Sequence, residues 1–465
     1  MEWRKIFWRT LVIGIPLSGL TACGGAGPDG LAALANISAL QILQCPSSLA
    51  LGEKRQLQAR ALDAQGNEVS FSDIRFRSRQ DRRVQAMEDG EVEARYPGEA
   101  EVVAAANGIE SDPCRIAVEP PSHQGRVRQL TDNDVEDHWG MNNNWPMLSR
   151  GRVLWLRGAA SGNEVWLHDL AAMPGDDRLL RSTANGVDFM ALGGGAGEDE
   201  VMATWREGLS RTLVSRDGAP ALDLGAQLQE ENSIADGHLL FRRGQPDNDI
   251  LDFTFASGLK PHAETGDLYN PIADAGRALW LEDRGGGNFN LVYDGGQGPV
   301  TLAQGPFIAG RFDMRKGRIV YVLGHDIFLY DTEAEHPQSV NLTQNPQALN
   351  DYPRTDGDSV LFLRGVQGAA NREVVLYDIA SGQAQVISTT QDPKDGSRLQ
   401  LDQRQALWVE GNRLYFHDGS GAASGTSAVP LGNAALDPFF APFLAEGSAV
   451  WIANDGNDDE LFVLE

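Results

Sequence analysis

The chain has 465 residues, which is long enough for two or three domains with their own cores. Its 65 acidic side chains outnumber its 39 lysines and arginines and give a formal net charge of −26. A field of this sign repels phosphate backbones and gains nothing from anionic lipid headgroups, so nucleic acid is excluded as an expected partner. Cationic ligands or divalent metals would be favoured, although the same charge also serves solubility.

The first 22 residues have the organisation of an export signal. A basic start is followed by an apolar stretch, Leu11 to Leu20, that is too short to span a bilayer. The next residues, Leu20-Thr21-Ala22-Cys23, resemble the lipobox of bacterial lipoprotein precursors. The resemblance implies cleavage after residue 22 and lipidation of Cys23. A secreted protein with a chance cysteine near its cleavage site is the alternative.

The residue after the lipidated cysteine bears on location. Gly24 stands where an aspartate would resemble an inner-membrane retention signal, so we expect an outer-membrane lipoprotein facing the periplasm. Residues 23–36 are small and glycine-rich and predict a flexible tether. The sequence therefore predicts a signal peptide over residues 1–22 and a tether that lets the following domains stand off the membrane.

Residues 37–120 show short strands separated by turn signals, such as the run from Asp63 to Asn67. The runs LALGEKRQLQARALDAQGNEV and DGEVEARYPGEAEVVAAANG resemble bacterial Ig-like domains of the Big-2 type. The resemblance implies a β-sandwich in which the first and last strands are neighbours. Cys45 lies at the end of the first strand and Cys114 just before the last, so we expect a disulfide between them that stabilises the domain by roughly 4 kcal/mol.

Residues 121–465 are dominated by a repeat in which a hydrophobic strand carries one aromatic residue. The mean spacing is about 42 residues, and eight such landmarks at this period predict a β-propeller. The aromatics are expected to pack between blades; they are Trp155, Trp205, Phe241, Trp280, Tyr321, Phe362, Trp408 and Trp451. The runs LTDNDVED and LYDIASG resemble the WD40-like repeats of TolB-type propellers. The expected fold is all-β, an Ig-like β-sandwich followed by an eight-bladed propeller.

The last predicted blade lacks its fourth strand. Its second and third strands fall at Ala449 to Ala453 and Glu460 to Leu464, where the sequence given ends. A strand of the missing type occurs at Val127 to Thr131, ahead of the first blade. We expect this N-terminal strand to close the ring, because closure leaves no open sheet edge.

Ring closure would bring two acidic loops together on the face that carries the fourth-to-first and second-to-third strand connections. The candidate binding face comprises Asp132, Asp134, Glu136, Asp137, His138, Trp139, Asp455, Asp458 and Asp459. Alternating Asp132, Asp134 and Glu136 could supply oxygens to Ca²⁺, although a solvated acidic turn is the alternative. Otherwise no cofactor is expected.

Two residues of the first loop have further readings. His138 stands among carboxylates and could act as a general base, or it could be a plain surface residue. An exposed Trp139 could stack on a sugar ring or anchor a protein partner. Nucleotide-binding loops, nucleophile elbows and common zinc motifs are missing from the sequence.

These features predict a non-enzymatic, membrane-tethered binding or scaffold module. Its partner would be an envelope protein or a cell-wall or extracellular polymer, with the membrane contacted only through the N-terminal lipid. The alternative is a polysaccharide-active, lyase-like enzyme, which the resemblance to TolB-like propellers allows. A calcium-dependent adhesin is a third reading.

Overall fold

A computed structural model of the chain describes residues 37–464, except for 51–52, 72, 81–82, 96–97, 120–126, 133–145, 160–161, 172–176, 198, 209–210, 226–228, 245–247, 308–310, 346, 367–370, 389, 420–424, 430–434, 437–440 and 455–457. The fold is all-β, and its regular structure in these ranges is strands plus the 3-10 turn Gly396–Arg398. None of the described segments forms a helix with the length and apolar character that a membrane crossing requires. The predicted signal, tether and Cys23 lie outside the described residues.

The first part of the fold, here called the N-terminal β region (residues 37–119), contains small packed sheets. Its strands are β1 (Ala39–Ile42), β2 (Ser48–Ala50), β3 (Lys54–Gln56), β4 (Ala59–Leu62), β5 (Glu68–Val69), β6 (Arg75–Ser78), β7 (Val84–Ala86), β8 (Glu91–Ala94), β9 (Gly98–Ala106), β10 (Ile109–Glu110) and β11 (Cys114–Glu119). The sheet orders are β1-β4-β5, β10-β9-β11-β2 with β6 on β9, and β3-β8-β7. Apolar side chains that alternate along these strands fill a main core, as Val92, Val102 and Ile116 show, and a smaller cluster contains Leu40 and Ala61.

The predicted disulfide is confirmed. Cys45 and Cys114 are bonded with their Cα atoms 5.5 Å apart and 69 residues apart in sequence. The strand pairing around the bridge differs from the expected one, because β11 pairs in parallel with β2 and β1 pairs with β4. Cys45 lies between β1 and β2, so the bridge ties this connection to the last strand of the region.

The remainder is a β-propeller whose sheets each hold four sequential strands, here numbered sheets one to seven in chain order. After β12 (Val127–Gln129), sheets one to four are β13 (Met147–Ser149), β14 (Arg152–Ala159), β15 (Gly162–Asp169), β16 (Arg178–Thr183); β17 (Val187–Gly194), β18 (Val201–Glu207), β19 (Arg211–Arg216), β20 (Leu222–Asp223); β21 (Gln229–Ala235), β22 (His238–Arg243), β23 (Ile250–Thr254), β24 (Gly258–Ala263); and β25 (Leu268–Asp274), β26 (Arg277–Asp283), β27 (Phe289–Asp294), β28 (Pro299–Gly305).

Sheets five to seven continue the same pattern, in which each strand pairs antiparallel with the next. They are β29 (Phe312–Arg315), β30 (Arg318–Leu323), β31 (Asp326–Asp331), β32 (Ser339–Asn341); β33 (Ala348–Thr355), β34 (Ser359–Val366), β35 (Arg372–Asp378), β36 (Gln383–Val386); and β37 (Gln400–Asp402), β38 (Gln405–Glu410), β39 (Arg413–His417), β40 (Thr426–Ala428). The chain then forms β41 (Ala435–Leu436), β42 (Phe443–Ala445), β43 (Ser448–Asn454) and β44 (Asp459–Leu464).

These last strands and β12 form one sheet, here called the closing sheet, in the order β12-β44-β43-β41 with β42 also on β43. Val127 lies opposite Leu464, and the N–H of Leu130 donates to the carbonyl of Leu461 at 2.7 Å. The predicted pairing of the early strand with the end of the chain is therefore present.

The landmark aromatics lie between neighbouring sheets, as predicted. Each of the eight is at most 4% exposed, and each belongs to a different apolar cluster. Trp205, for example, packs from sheet two against Leu154 and Leu167 of sheet one, and Trp155 packs against Ile452 of the closing sheet. These clusters join each sheet to the next and return from the closing sheet to sheet one.

Candidate functional site in the central channel

The first strands of the sheets surround a central channel with a cavity of about 500 Å³, a volume in the range of ligand pockets. Every numbered sheet and the closing sheet contribute to its wall. Its apolar lining includes Leu148, Leu192, Ile234, Ile272, Met314, Leu401, Phe443 and Leu444. Charged side chains cluster at the end where each first strand turns into the second, here called the turn end of the channel.

Carboxylates at the turn end accept hydrogen bonds from the backbone of the next sheet. Asp274 of sheet four accepts from the N–H groups of Lys316 at 3.0 Å and Gly317 at 2.7 Å in sheet five. In the same way, Asp402 of sheet seven accepts from the N–H of Glu446 in the closing sheet at 2.6 Å. These bonds to ionised acceptors are stronger than neutral ones and fix the positions of adjacent turns.

The turns adopt a backbone conformation that explains the need for such acceptors. Lys316 and Glu446 have φ angles of 49° and 52°, in the left-handed region, and each precedes a glycine that also has positive φ. Two consecutive left-handed residues are typical of the tight hairpin turns that match the twist of flanking strands. The aspartate of the preceding sheet satisfies the N–H that this turn leaves without a ladder partner.

Arg315 lines the channel, and its side chain is far more exposed than that of Arg150, another arginine of the channel wall. Its side chain keeps 51% of its surface accessible, although it reaches from sheet five to Asp402 of sheet seven with an N to O distance of 3.3 Å. Attraction first to Asp402 and then to Asp313 and other aspartates raises the pKa of Arg315 despite desolvation. The guanidinium is thus a fixed positive charge inside the channel.

Other cations at the turn end differ in how far they are engaged. Lys316 pairs with Asp358 at 3.0 Å, but both side chains are more than half exposed, so the pair contributes little. Arg354 of sheet six lines the channel beside Asp313. Arg150, in contrast, donates to backbone carbonyls of sheet two, including that of Glu200 at 2.8 Å. Arg315, Lys316 and Arg354 are therefore the candidate ligand contacts.

Asp313 is the candidate acid of the channel. Desolvation by the surrounding walls raises the pKa of its carboxyl, and the charge of Arg354 only partly offsets this effect. The carboxyl is held by the N–H groups of Thr355 at 2.8 Å and Met314 at 3.0 Å. A carboxyl with a raised pKa in a ligand-sized cavity is a typical candidate for proton transfer.

None of the site residues predicted from sequence that fall within the described ranges lines the channel. Asp134, Glu136, Asp137, His138, Trp139 and Asp455 lie outside the described residues. Asp132 is exposed and lies three residues after the end of β12. The prediction of Ca²⁺ on Asp132, Asp134 and Glu136 stays a prediction. Within the described ranges, no group of three or more His, Cys, Asp or Glu side chains is placed to hold a metal ion.

The acidic loop of the closing sheet needs correction. Asp458 and Asp459 were expected to be loop residues, but Asp459 begins β44, and both residues are less than 9% exposed. The side-chain amide of Asn454 donates to Asp459 at 2.9 Å, across the end of the hairpin. Their carboxylates therefore belong to the sheet end and do not present an exposed acidic surface.

Sequence reasoning missed the turn end of the channel. A signal existed, because polar residues recur just before the second strand of the repeat, as in Asp236-Gly237, Lys316-Gly317 and Glu446-Gly447. These pairs were interpretable as simple hairpin turns. Only the ring geometry shows that they meet around one cavity.

Comparison with known proteins provides information about the fold alone. No protein-family model matches the chain, and no curated protein matches it. Similar solved structures include an oligogalacturonate lyase in complex with manganese, 10% identical, with a TM-score of 0.45 over 74% of this chain and 94% of that one. An oligogalacturonate lyase from Vibrio parahaemolyticus is 9% identical, with a TM-score of 0.43 over 75% of this chain and 95% of that one.

A further similar structure is the β-propeller domain of the Trilobed protease from Pyrococcus furiosus, 10% identical, with a TM-score of 0.44 over 71% of this chain and 96% of that one. The similar proteins are thus lyases and part of a protease. The expectation of a non-enzymatic binding or scaffold module is corrected to this extent: the solved structures named here are enzymes or part of one, and at this identity their likeness shows the fold alone.

Proposed function

We propose that the protein is an enzyme that acts on acidic polysaccharides in a lyase-like manner, with the central channel as its ligand site. The observation that carries the proposal is the unequal engagement of charges at the turn end. Asp274 and Asp402 use carboxylate oxygens for backbone N–H groups, whereas Arg315 and Lys316 keep about half or more of their side-chain surface accessible. The chemistry offered to a ligand in the channel is therefore cationic.

The guanidinium of Arg315 suits the carboxylate of a uronate sugar. Its planar N–H groups can bind both oxygens of a carboxylate, and its charge persists at any physiological pH. In an elimination reaction, such a cation neutralises the carboxylate and thereby acidifies the adjacent C–H group. Arg354 lines the same cavity and acts electrostatically on Asp313, so it is placed to assist.

Asp313 would move the proton of the elimination. The reaction removes the proton of the C–H group next to the uronate carboxylate, breaks the bond between the neighbouring carbon and the glycosidic oxygen, and leaves a C=C bond. The carboxylate of Asp313 would take up that proton and pass it to the glycosidic oxygen as the oxygen leaves. Because burial raises the pKa of Asp313, its ionised carboxyl is a stronger base than that of an ordinary aspartate, which favours uptake of this proton.

The proposal is tested by incubating the purified protein with oligogalacturonate and following the ultraviolet absorbance of unsaturated products. We expect turnover by the native protein and a loss of about 100-fold or more in Arg315→Met and Asp313→Asn, because each removes a charge or proton used in the transition state. Arg413→Met and Glu335→Gln are matched controls on the exposed surface and should keep full activity.

Two results would contradict this function. Absence of unsaturated product from a panel of acidic polysaccharides would remove the lyase class. Equal loss of activity in the surface controls would show that the channel is not the site. New reducing ends without unsaturation would instead indicate a hydrolase.

The finer architecture is also a proposal. We infer that sheets one to seven and the closing sheet are eight blades of one ring, and that the N-terminal β region is an Ig-like sandwich. The continuous series of inter-sheet clusters and the pairing of β12 with β44 support this interpretation. An experimental structure in which β12 lies apart from β44 would contradict it.

We further propose that the protein is an outer-membrane lipoprotein anchored through Cys23, which would place the channel near envelope or extracellular polymers. Support comes from the lipobox-like run before Cys23. Mass spectrometry of the mature N-terminus should find acylated Cys23, and Cys23→Ser should release the protein from membranes. An unmodified N-terminus at another residue would overturn the anchor.

A further inference from the structure

Arg83 of the N-terminal β region reaches the turn end of the channel. Its Nε lies 3.4 Å from Oδ1 of Asp199 in sheet two, and its Nη2 lies 3.8 Å from Oε1 of Glu446 in the closing sheet. The three side chains are only 13%, 23% and 16% exposed. Sheet one stands between the two acceptors, so a single guanidinium spans three consecutive sheets.

The same side chain is fixed within its own region. Its Nη1 donates to the carbonyl of Glu99 in β9 at 2.9 Å. Arg83 contacts both its own region and the turn end of the channel, here also called the rim. The placement of the N-terminal β region and the geometry of the rim therefore depend on each other. Enclosed ion pairs of this kind are screened by salt much less than exposed ones.

A short series of contacts connects Arg83 to Arg315. Glu446 contacts Arg83 through its carboxylate and donates its backbone N–H to Asp402 at 2.6 Å. The other oxygen of Asp402 lies 3.3 Å from Arg315. Displacement of Glu446 would therefore change the acceptor that orients the channel arginine.

We propose that Arg83 is an intramolecular latch that docks the N-terminal β region on the channel rim and positions Arg315 through Glu446 and Asp402. Arg83 is thus a positioning residue, and the part of the proposal that concerns ligand binding rests on the proposed function. Removal of the Arg83 charge takes away a cation that contacts both of these partly enclosed carboxylates, and the loss loosens the turn end of the channel. The N-terminal β region then contributes to the geometry of the channel.

Hydrogen exchange without any ligand tests the latch directly. In Arg83→Met, we expect peptides that contain the backbone N–H of Glu446 to exchange about fivefold faster or more, the lower end of coupling between sites. Arg115→Met is the matched control, because Arg115 lies in the same region, pairs with Glu101 and is 76% exposed. It should leave exchange at the rim unchanged.

Glu446→Gln tests the latch from the other side, since it keeps the backbone N–H and guards against local misfolding of the Arg83 variant. It should also speed exchange, and the double variant should add little to either single change. Unchanged exchange in both single variants, or fully additive effects, would overturn the latch.

Binding of oligogalacturonate then separates the latch from the proposed function. If the native protein binds it, Arg83→Met should weaken the affinity about fivefold, and Arg115→Met should not change it. Faster exchange with unchanged affinity would overturn the positioning role. Absence of binding to the native protein would count against the proposed function, while the exchange result would still decide the latch.

Discussion

The spaces between the sheets and the turn end of the channel solve different problems with different side chains. Between sheets, large aromatics such as Trp205 and Trp408 are buried among aliphatic residues and hold neighbours together. At the turn end, aspartates such as Asp274 link neighbours through backbone N–H groups, and cations remain accessible. Stability thus depends mainly on these aromatics between sheets, here called wedges, whereas accessible charges are concentrated at the turn end of the channel.

The spaces between sheets also contain a polar device, a glutamate two residues after the aromatic. Glu207 of sheet two receives hydrogen bonds from Arg181 and Thr183 in the last strand of sheet one and from Asn185 just after it. Glu410 plays the same part in sheet seven, where it pairs with a fully buried Lys394 at 3.6 Å. These hydrogen bonds and ion pairs, here called polar ties, therefore reinforce some wedges at the end of the second strand.

The largest expected effect comes from emptying a wedge. Trp205→Ala should lower the free energy of unfolding by about 3–5 kcal/mol, because Trp205 is fully buried and its removal leaves a cavity between two sheets. Chemical denaturation measures the change. Leu222→Ala, at a side chain that is 48% exposed, is the control and should change it by less than about 1 kcal/mol. A similar loss of unfolding free energy in both variants would contradict the proposed difference between wedge and surface residues.

The next effect concerns a polar tie. Burial opposes ionisation of Glu207, but hydrogen bonds led by that from Arg181 outweigh it and lower the pKa from 4.5 to about 2. Such a group stabilises the fold fully above pH 4.5, and the contribution is lost as the pH falls towards 2. Glu207→Gln should cost roughly 3 kcal/mol at neutral pH and flatten the acid dependence of unfolding. An unaltered pH profile would contradict the tie.

A smaller loss is expected at the turn end. Asp274→Asn should lower the free energy of unfolding by about 1–2 kcal/mol, since the amide oxygen can still accept one N–H but lacks the charge. Thermal unfolding and hydrogen exchange at Lys316 and Gly317 measure it. A loss as large as that of the wedge variant would show that the channel rim also dominates stability.

The smallest change in unfolding free energy is expected for a channel cation, and it tests whether these cations are available for ligands. Lys316→Met should change the free energy of unfolding by less than about 0.5 kcal/mol, because the pair with Asp358 is exposed on both sides. Denaturant titration of this variant beside the native protein suffices. A loss above 1 kcal/mol would mean that the lysine is a structural element.

The repeat and ring closure were predictable because they follow from hydrophobic periodicity, and Trp155 and Trp451 occupy the wedges that the period predicts. The disulfide followed from cysteine number and position, and the bond is present. The channel was not predictable, since Arg315 and Asp402 are 87 positions apart and meet only through the curvature of the ring. Asp459 was misjudged because loop composition does not reveal which carboxylates a hairpin end buries.

Calorimetric titration of the native protein and Arg315→Met with oligogalacturonate, and with its methyl-esterified form of equal length, tests whether Arg315 binds the carboxylate of an acidic sugar. We predict binding of the acidic ligand to the native protein, at least tenfold weaker binding in the variant, and no binding of the neutral ester to either. Equal affinity of the native protein for the acidic and esterified ligands, or an unchanged affinity in Arg315→Met, would contradict it.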